Sequence, residues 1–159
     1  MHPAETEAGS RHEFVPRDPD YAARVRGSFD RQGAMRLIGA RLAEIGPGYC
    51  AIELPYRPDL TQQHGYVHAG IVSAIADSAG GYAGFTLFPS DASVLTVEYK
   101  LNLIAPATGE RLIAEARVVK PGRTLVITRG EVYAEAAGKR TLCAIMQQTL
   151  IVLSGKPDA

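Results

Sequence analysis

The chain of 159 residues has no tryptophan, only two cysteines and a formal net charge of zero, with 17 basic residues against 17 acidic ones. Each shortage excludes something. A balanced charge supplies no field that would recruit nucleic acid or an anionic membrane, so neither is expected as a partner. Cys50 and Cys143 lie far apart in apolar, strand-like runs without CxxC or Cys/His ligand spacing. They read as buried free thiols in a reducing compartment. The sequence contains no metal-ligand cluster, phosphate-cradling glycine loop, Ser-His-Asp order or nucleic-acid motif. Gly80-Gly81 falls within a helical stretch rather than a dinucleotide-binding turn, so no cofactor and no metal is expected. Residues 1–20 are polar and mixed in charge, without the apolar core of a secretory signal, which points to the cytoplasm. The longest weakly polar stretch, 65–88, is interrupted by His68, Asp77 and several glycines, unlike a membrane span of about 20 apolar residues.

What is present suits one domain over 20–154, preceded by a disordered segment 1–19. Residues 20–33 carry Tyr21, Val25 and Phe29 on one stripe, the mark of a short amphipathic helix. Arg24, Arg26, Arg31, Arg36 and Arg41 alternate with acidic residues and read as solvated surface. Leu37–Ile45, the turn Gly46-Pro47-Gly48 and Tyr49–Tyr56 read as strand, turn and strand. After Pro89, the runs 93–104, 110–120, 123–136 and 141–153 are rich in Val, Ile, Leu and Thr and are separated by hairpin signals. In the first, Leu95, Val97, Tyr99, Leu101 and Leu103 alternate with Thr96, Glu98, Lys100 and Asn102, predicting one packed face and one polar face. The order therefore predicts an α+β domain: an antiparallel sheet of about six strands with a long helix on one face.

That helix carries the chemistry. From Ala69 to Phe88 the single charged residue is Asp77, among Ala, Ser, Ile and Gly. A carboxylate is seldom withdrawn from water unless it is paired or functional, because burying the charge costs several kcal/mol or more. The bland alternative is a solvated or capping Asp, but residues this small and apolar give a solvated face little to work with. The same alanines and glycines strip away bulk, which makes sense where another backbone or side chain must come very close. A strongly curved sheet wrapped around the helix would require it.

The segment Gln62-x-x-Gly65-x-x-His68-Ala69-Gly70, followed by Asp77 nine residues after the histidine, resembles the Asn-x-x-Gly-x-x-His-Gly-Gly…Asp pattern of the PaaI-type hotdog-fold acyl-CoA thioesterases. Leu95–Tyr99, Pro106-Ala107 and Gly122-Arg123-Thr124 also look like that family's landmarks, so the resemblance runs from about residue 24 to 153. It implies a hotdog fold and hydrolysis of an acyl-CoA substrate. It further implies Asp77 as general base or nucleophile, the Ala69 N–H as oxyanion donor, Thr96 beside the attacking water, and Gln62 and His68 in the site. Gly70 and Arg123 would contact substrate. Two positions depart from the pattern. Gln62 replaces Asn but keeps an amide on a longer stem, and Ala69 replaces Gly but keeps its N–H. Taken alone, Thr96 is explained equally by strand propensity, Arg123 by solvation, and His68 by packing.

Geometry adds a partner. If Ala69 opens the helix, Asp77 lies about 12 Å further along it, eight residues at about 1.5 Å each, too far for one thioester carbonyl to touch both. The expected site joins Gln62, His68 and Ala69 of one subunit to Asp77 and Thr96 of another, in a homodimer that could pair into a tetramer. The competing readings are a hotdog hydratase or dehydratase acting on an enoyl thioester, and a non-catalytic acyl-CoA-binding protein.

Overall fold

A computed structural model describes residues 14–158. Residues 1–13 of the segment expected to lack structure lie outside the described residues. From Phe14 onward that segment packs on the domain, with Phe14 against Gly48 and Asp18 buried. The chain then forms α1 (Tyr21–Arg31), α2 (Gly33–Ile38), β1 (Arg41–Gly46), β2 (Tyr49–Pro55), a 3-10 turn at Pro58–Leu60, α3 (Ala69–Phe85), β3 (Ser93–Leu103), β4 (Arg111–Pro121), β5 (Leu125–Ala136) and β6 (Lys139–Leu153). The strands make one antiparallel sheet in the order β1-β2-β4-β5-β6-β3, and α3 packs on its inner face against β2 through β6. This is the expected hotdog arrangement.

The inner face follows strict alternation. Leu112, Ala114, Ala116 and Val118 of β4, Val126 and Val132 of β5, and Ala144, Met146 and Leu150 of β6 are buried beneath α3. Small residues let the helix settle onto them. A Cβ on Gly84 would come within 2.4 Å of Leu150 Cδ1, and one on Gly80 within 1.9 Å of Gln148 Oε1, so at either position any larger residue must displace the side chain beneath it. Gly81 faces open space, and the close-approach argument does not extend to it.

Three expectations are corrected. Leu37 and Ile38 do not begin a strand; they close α2, which ends at Gly39 in the left-handed region (φ 80°), and β1 starts only at Arg41. Arg24 is not a solvated arginine. Its guanidinium lies 4.3 Å from the Phe85 ring centroid and donates to the carbonyls of Phe88 (2.8 Å), Pro89 (3.1 Å) and Ala92 (3.3 Å), while its Nε forms a 2.8 Å ion pair with buried Asp18. It thereby gathers the carbonyls beyond the C-terminal end of α3, where positive charge is favoured. Finally, β3 does not have one packed face. It is a sheet edge with a bulge between Thr96 and Glu98, and Leu95, Val97, Tyr99 and Leu103 remain largely exposed. The bulge sends Thr96 to the helix side, opposite Leu150, and Glu98 to the outer side, opposite Thr149.

Candidate active site

The His-Ala-Gly segment makes the entrance to α3. His68 is the N-cap, and its Nδ1 accepts the Gly70 N–H at 2.9 Å, so in the neutral ring the proton sits on Nε2. Gly70 thus spends its N–H on the cap. Ala69 is the first helical residue, and its N–H is one of the donors that a helix start leaves without an intrahelical acceptor. Gln62 lies in the preceding loop, bonded to Tyr66 through its backbone, and its Oε1 accepts the His64 N–H. The amide Nε2 is therefore the end of Gln62 left to reach outward. Gln62, Ala69, Val72 and Leu103 line one cavity of about 390 Å³.

Asp77 stands two turns further along, half-buried, on the wall of a second cavity of about 450 Å³ with Thr96, Ser78, Tyr82, Ser28 and Gln32. It is neither free in solvent nor a cap. Thr96 Oγ1 donates to Asp77 Oδ1 at 2.7 Å, and Gln148 Nε2 donates to the same oxygen at 2.5 Å. Across this cavity Gln32, the residue between α1 and α2, donates to the Tyr82 hydroxyl (2.9 Å) and accepts from Ser78 (3.3 Å). Arg31 pairs with Asp158 at 2.6 Å, which brings the C-terminal tail to the rim.

Within one chain the expected site residues thus fall into two groups. Gln62 and Ala69, with His68 at the helix start, belong to one cavity; Asp77 and Thr96 belong to the other. Arg123 sits exposed in the turn between β4 and β5 and lines neither. Sequence reasoning missed Gln148 and Thr128, two buried polar side chains on the inner faces of β6 and β5. The available signal was their phase, because each occupies an inward position between buried apolar residues two places away.

A model of the thioesterase superfamily matches residues 64–140, which include His68, Ala69, Asp77 and Thr96 but begin after Gln62. The crystal structure of a thioesterase family protein from Silicibacter pomeroyi is 50% identical, and the match covers 85% of this chain and 99% of that one with a TM-score of 0.84. This chain belongs to the thioesterase superfamily. The thioesterase is also similar to human acyl-coenzyme A thioesterase 13, at 26% identity over 106 residues, 65% of this chain and 75% of the relative. The structure of the PaaI protein of the E. coli phenylacetic acid degradation operon aligns over 86% of this chain and 96% of that one with a TM-score of 0.77; at 14% identity it supports the fold alone. This chain's thioesterase relatives support a thioester hydrolase. Among the described residues no helix is long and apolar enough to cross a membrane.

Proposed function

We propose that this thioesterase hydrolyses an acyl- or aryl-acyl-CoA to the free acid and CoA at a site shared between two copies of the chain. The observation that carries the reading is Asp77: a lone carboxylate in an apolar helix, half-buried at a cavity wall, with two donors on one oxygen and none from the described residues on the other. Acting as a general base, Asp77 would take a proton from water as the water oxygen attacks the thioester carbon; acting as a nucleophile, it would attack that carbon itself and form an anhydride that water then opens. On either course the C–S bond breaks, the electron pair leaves with sulfur and the CoA thiolate takes up a proton. Negative charge builds on the carbonyl oxygen, and the Ala69 N–H at the positive end of α3 is the donor suited to receive it. Gln62 Nε2 would position the thioester or the water, and Arg123, exposed outside both cavities of its own chain, would meet a CoA phosphate.

The two groups of residues need a second chain to meet. β3 is a long, apolar sheet edge, the kind of surface that pairs with another strand. Thr96 accompanies Asp77 in one cavity and Leu103 accompanies Ala69 in the other, both on β3. A two-fold axis near Tyr99 and Lys100 would pair β3 antiparallel with its copy and set Thr96 of one subunit opposite Leu103 of the other. The Asp77 cavity of each subunit would then open toward the Ala69 cavity of its partner, giving two equivalent sites per dimer.

The test is hydrolysis of a panel of acetyl-, hexanoyl-, palmitoyl-, benzoyl- and phenylacetyl-CoA, followed by released thiol, with Asp77→Asn beside the native protein. Asn keeps the shape and can still accept from Thr96 and Gln148, so turnover of the best substrate should fall about 100-fold or more, the scale for losing a general base. Native-level turnover by a folded Asp77→Asn protein would refute the assignment.

A further inference from the structure

Behind Asp77 runs a buried polar chain. Gln148 is 1% exposed and Thr128 is fully buried, on neighbouring strands of the inner sheet face. A carboxylate only accepts hydrogen bonds, so the end of Gln148 that faces Asp77 is the NH2 group. This Nε2 lies 2.5 Å from Asp77 Oδ1, 3.2 Å from the Asp77 carbonyl oxygen and 3.0 Å from Thr96 Oγ1. The opposite end, Oε1, accepts the Thr128 hydroxyl at 2.9 Å, which holds the amide in that orientation. Space for it is made by Gly80 on the overlying turn of α3, where a Cβ would sit 1.9 Å from Gln148 Oε1 and 2.9 Å from Thr128 Oγ1.

Packing does not explain this chain. Leu150, two residues along the same face, is fully buried against the same helix as a plain aliphatic, and a buried amide is costly wherever its polar atoms are not all paired. Among the described residues, the side chains beyond Thr128 that Gln148 reaches are Thr96 and Asp77. Both donors fall on Oδ1, and no donor among the described residues reaches Oδ2. We infer that Gln148, fixed by Thr128 and admitted by Gly80, is a positioning residue that locks the Asp77 carboxylate with Oδ1 saturated and Oδ2 turned to the substrate. It acts through Asp77 and never touches the thioester. The inference rests on the reading of Asp77 as the reacting carboxylate.

The titratable groups lining the same cavity are Arg31 of α1, Tyr82 of α3 and Asp158 of the C-terminal tail; the residues facing Asp77 from β3 and β6 are Thr96 and Gln148, with Thr128 of β5 behind Gln148, and none of these titrates. Removing the Gln148 donor takes a hydrogen bond from the charged form of Asp77, so the acid limb of kcat against pH should move to higher pH. In Gln148→Leu, kcat on the best acyl-CoA of the panel should fall about tenfold to a hundredfold, the worth of a hydrogen bond to a charged group, while KM changes by less than about threefold. Gln148→Glu conserves the volume and serves if the leucine variant folds poorly. Two carboxyls would then share one proton, and the acid limb should move away from its native position. Gly80→Ala should reproduce the Gln148→Leu profile without altering either polar residue, and should add little in a Gln148→Ala background, where the 1.9 Å clash is gone and Thr128 Oγ1 at 2.9 Å is the close contact left. Unchanged kcat and acid limb in folded Gln148→Leu and Gln148→Glu would overturn the inference. Asp77→Asn in the same assay separates the two layers: if it is inactive while the Gln148 variants are native-like, only this inference falls, and if it is active, the functional reading falls with it.

Discussion

Gly84→Ala, set against Gly81→Ala, measures how closely α3 is seated. Both changes add one methyl group to the same helix, and both gain about 1 kcal/mol of helix propensity, so that gain cancels in the comparison. The surroundings differ. At Gly81 the new Cβ meets nothing within 4 Å, whereas at Gly84 it would stand 2.4 Å from Leu150 Cδ1, with Val126 Cγ1 at 3.6 Å. Carbon atoms sit about 3.5 to 4.0 Å apart in good contact, so Leu150 has to retreat by more than about 1 Å. Leu150 is fully buried beneath the helix and has little room to do so. Overpacking of this kind costs about 1 to 3 kcal/mol, which puts Gly84→Ala below Gly81→Ala by that amount. At about 2 to 4 °C per kcal/mol for a domain of this size, the melting temperatures should differ by about 2 to 12 °C, read by calorimetry at one fixed subunit concentration. A Leu150→Ala background should abolish the difference, because the obstructing methyl is removed. If Gly84→Ala proves as stable as Gly81→Ala with Leu150 intact, α3 is not seated against β6 as described.

Val97→Lys places a charge at the centre of the exposed β3 edge, a device by which natural edge strands resist pairing. Light scattering should report monomers, and hydrolysis should disappear although the far-ultraviolet circular dichroism stays native; folded monomers with full turnover would contradict the shared site. The cysteines give an independent reading of the core. Burial pushes the Cys50 thiol up to about 12 and raises Cys143 as well. A raised pKa leaves thiolate scarce at pH 8, so an aromatic disulfide reagent should label neither residue until denaturant is added. Rapid labelling of the native protein would show that β2 or β6 opens readily.

Much of this fold could be read from patterns longer than a few residues. The small-residue helix with its lone Asp77 and the four runs after Pro89 each repeat their signal over a dozen positions; the runs agree with the strands to within two residues, and the helix ends at Phe85, three short of Phe88. Short or non-local features escaped. With six residues, α2 has too few turns to establish a helical period, and Leu37-Ile38 next to a strand looked like its beginning. The charge pattern of α1 suggested solvent for Arg24, because its partners, Asp18 and the carbonyls after α3, lie elsewhere in the chain. The bulge after Thr96 cannot be seen in the alternating letters, and it separates Thr96 from Glu98. Strand order is also absent from the sequence, so β3 seemed a half-buried strand although it is an edge. For the site, the lone charge picked out Asp77, but Gln148 is recognisable only once β6 lies beneath the helix.

The shared site is tested most directly by mixing two inactive proteins, Asp77→Asn and Ala69→Pro. Proline removes the Ala69 N–H, and the position suits it: Ala69 is the first helical residue, and His68 before it is already extended at φ −59°, ψ 139°. Each variant alone should be inactive and folded. After unfolding and refolding together, a mixed dimer holds one site with both halves intact and one with neither, so an equimolar mixture should recover about a quarter of native activity per subunit. Confirmed mixed dimers that recover none would contradict a site built from Asp77 of one chain and Ala69 of the other.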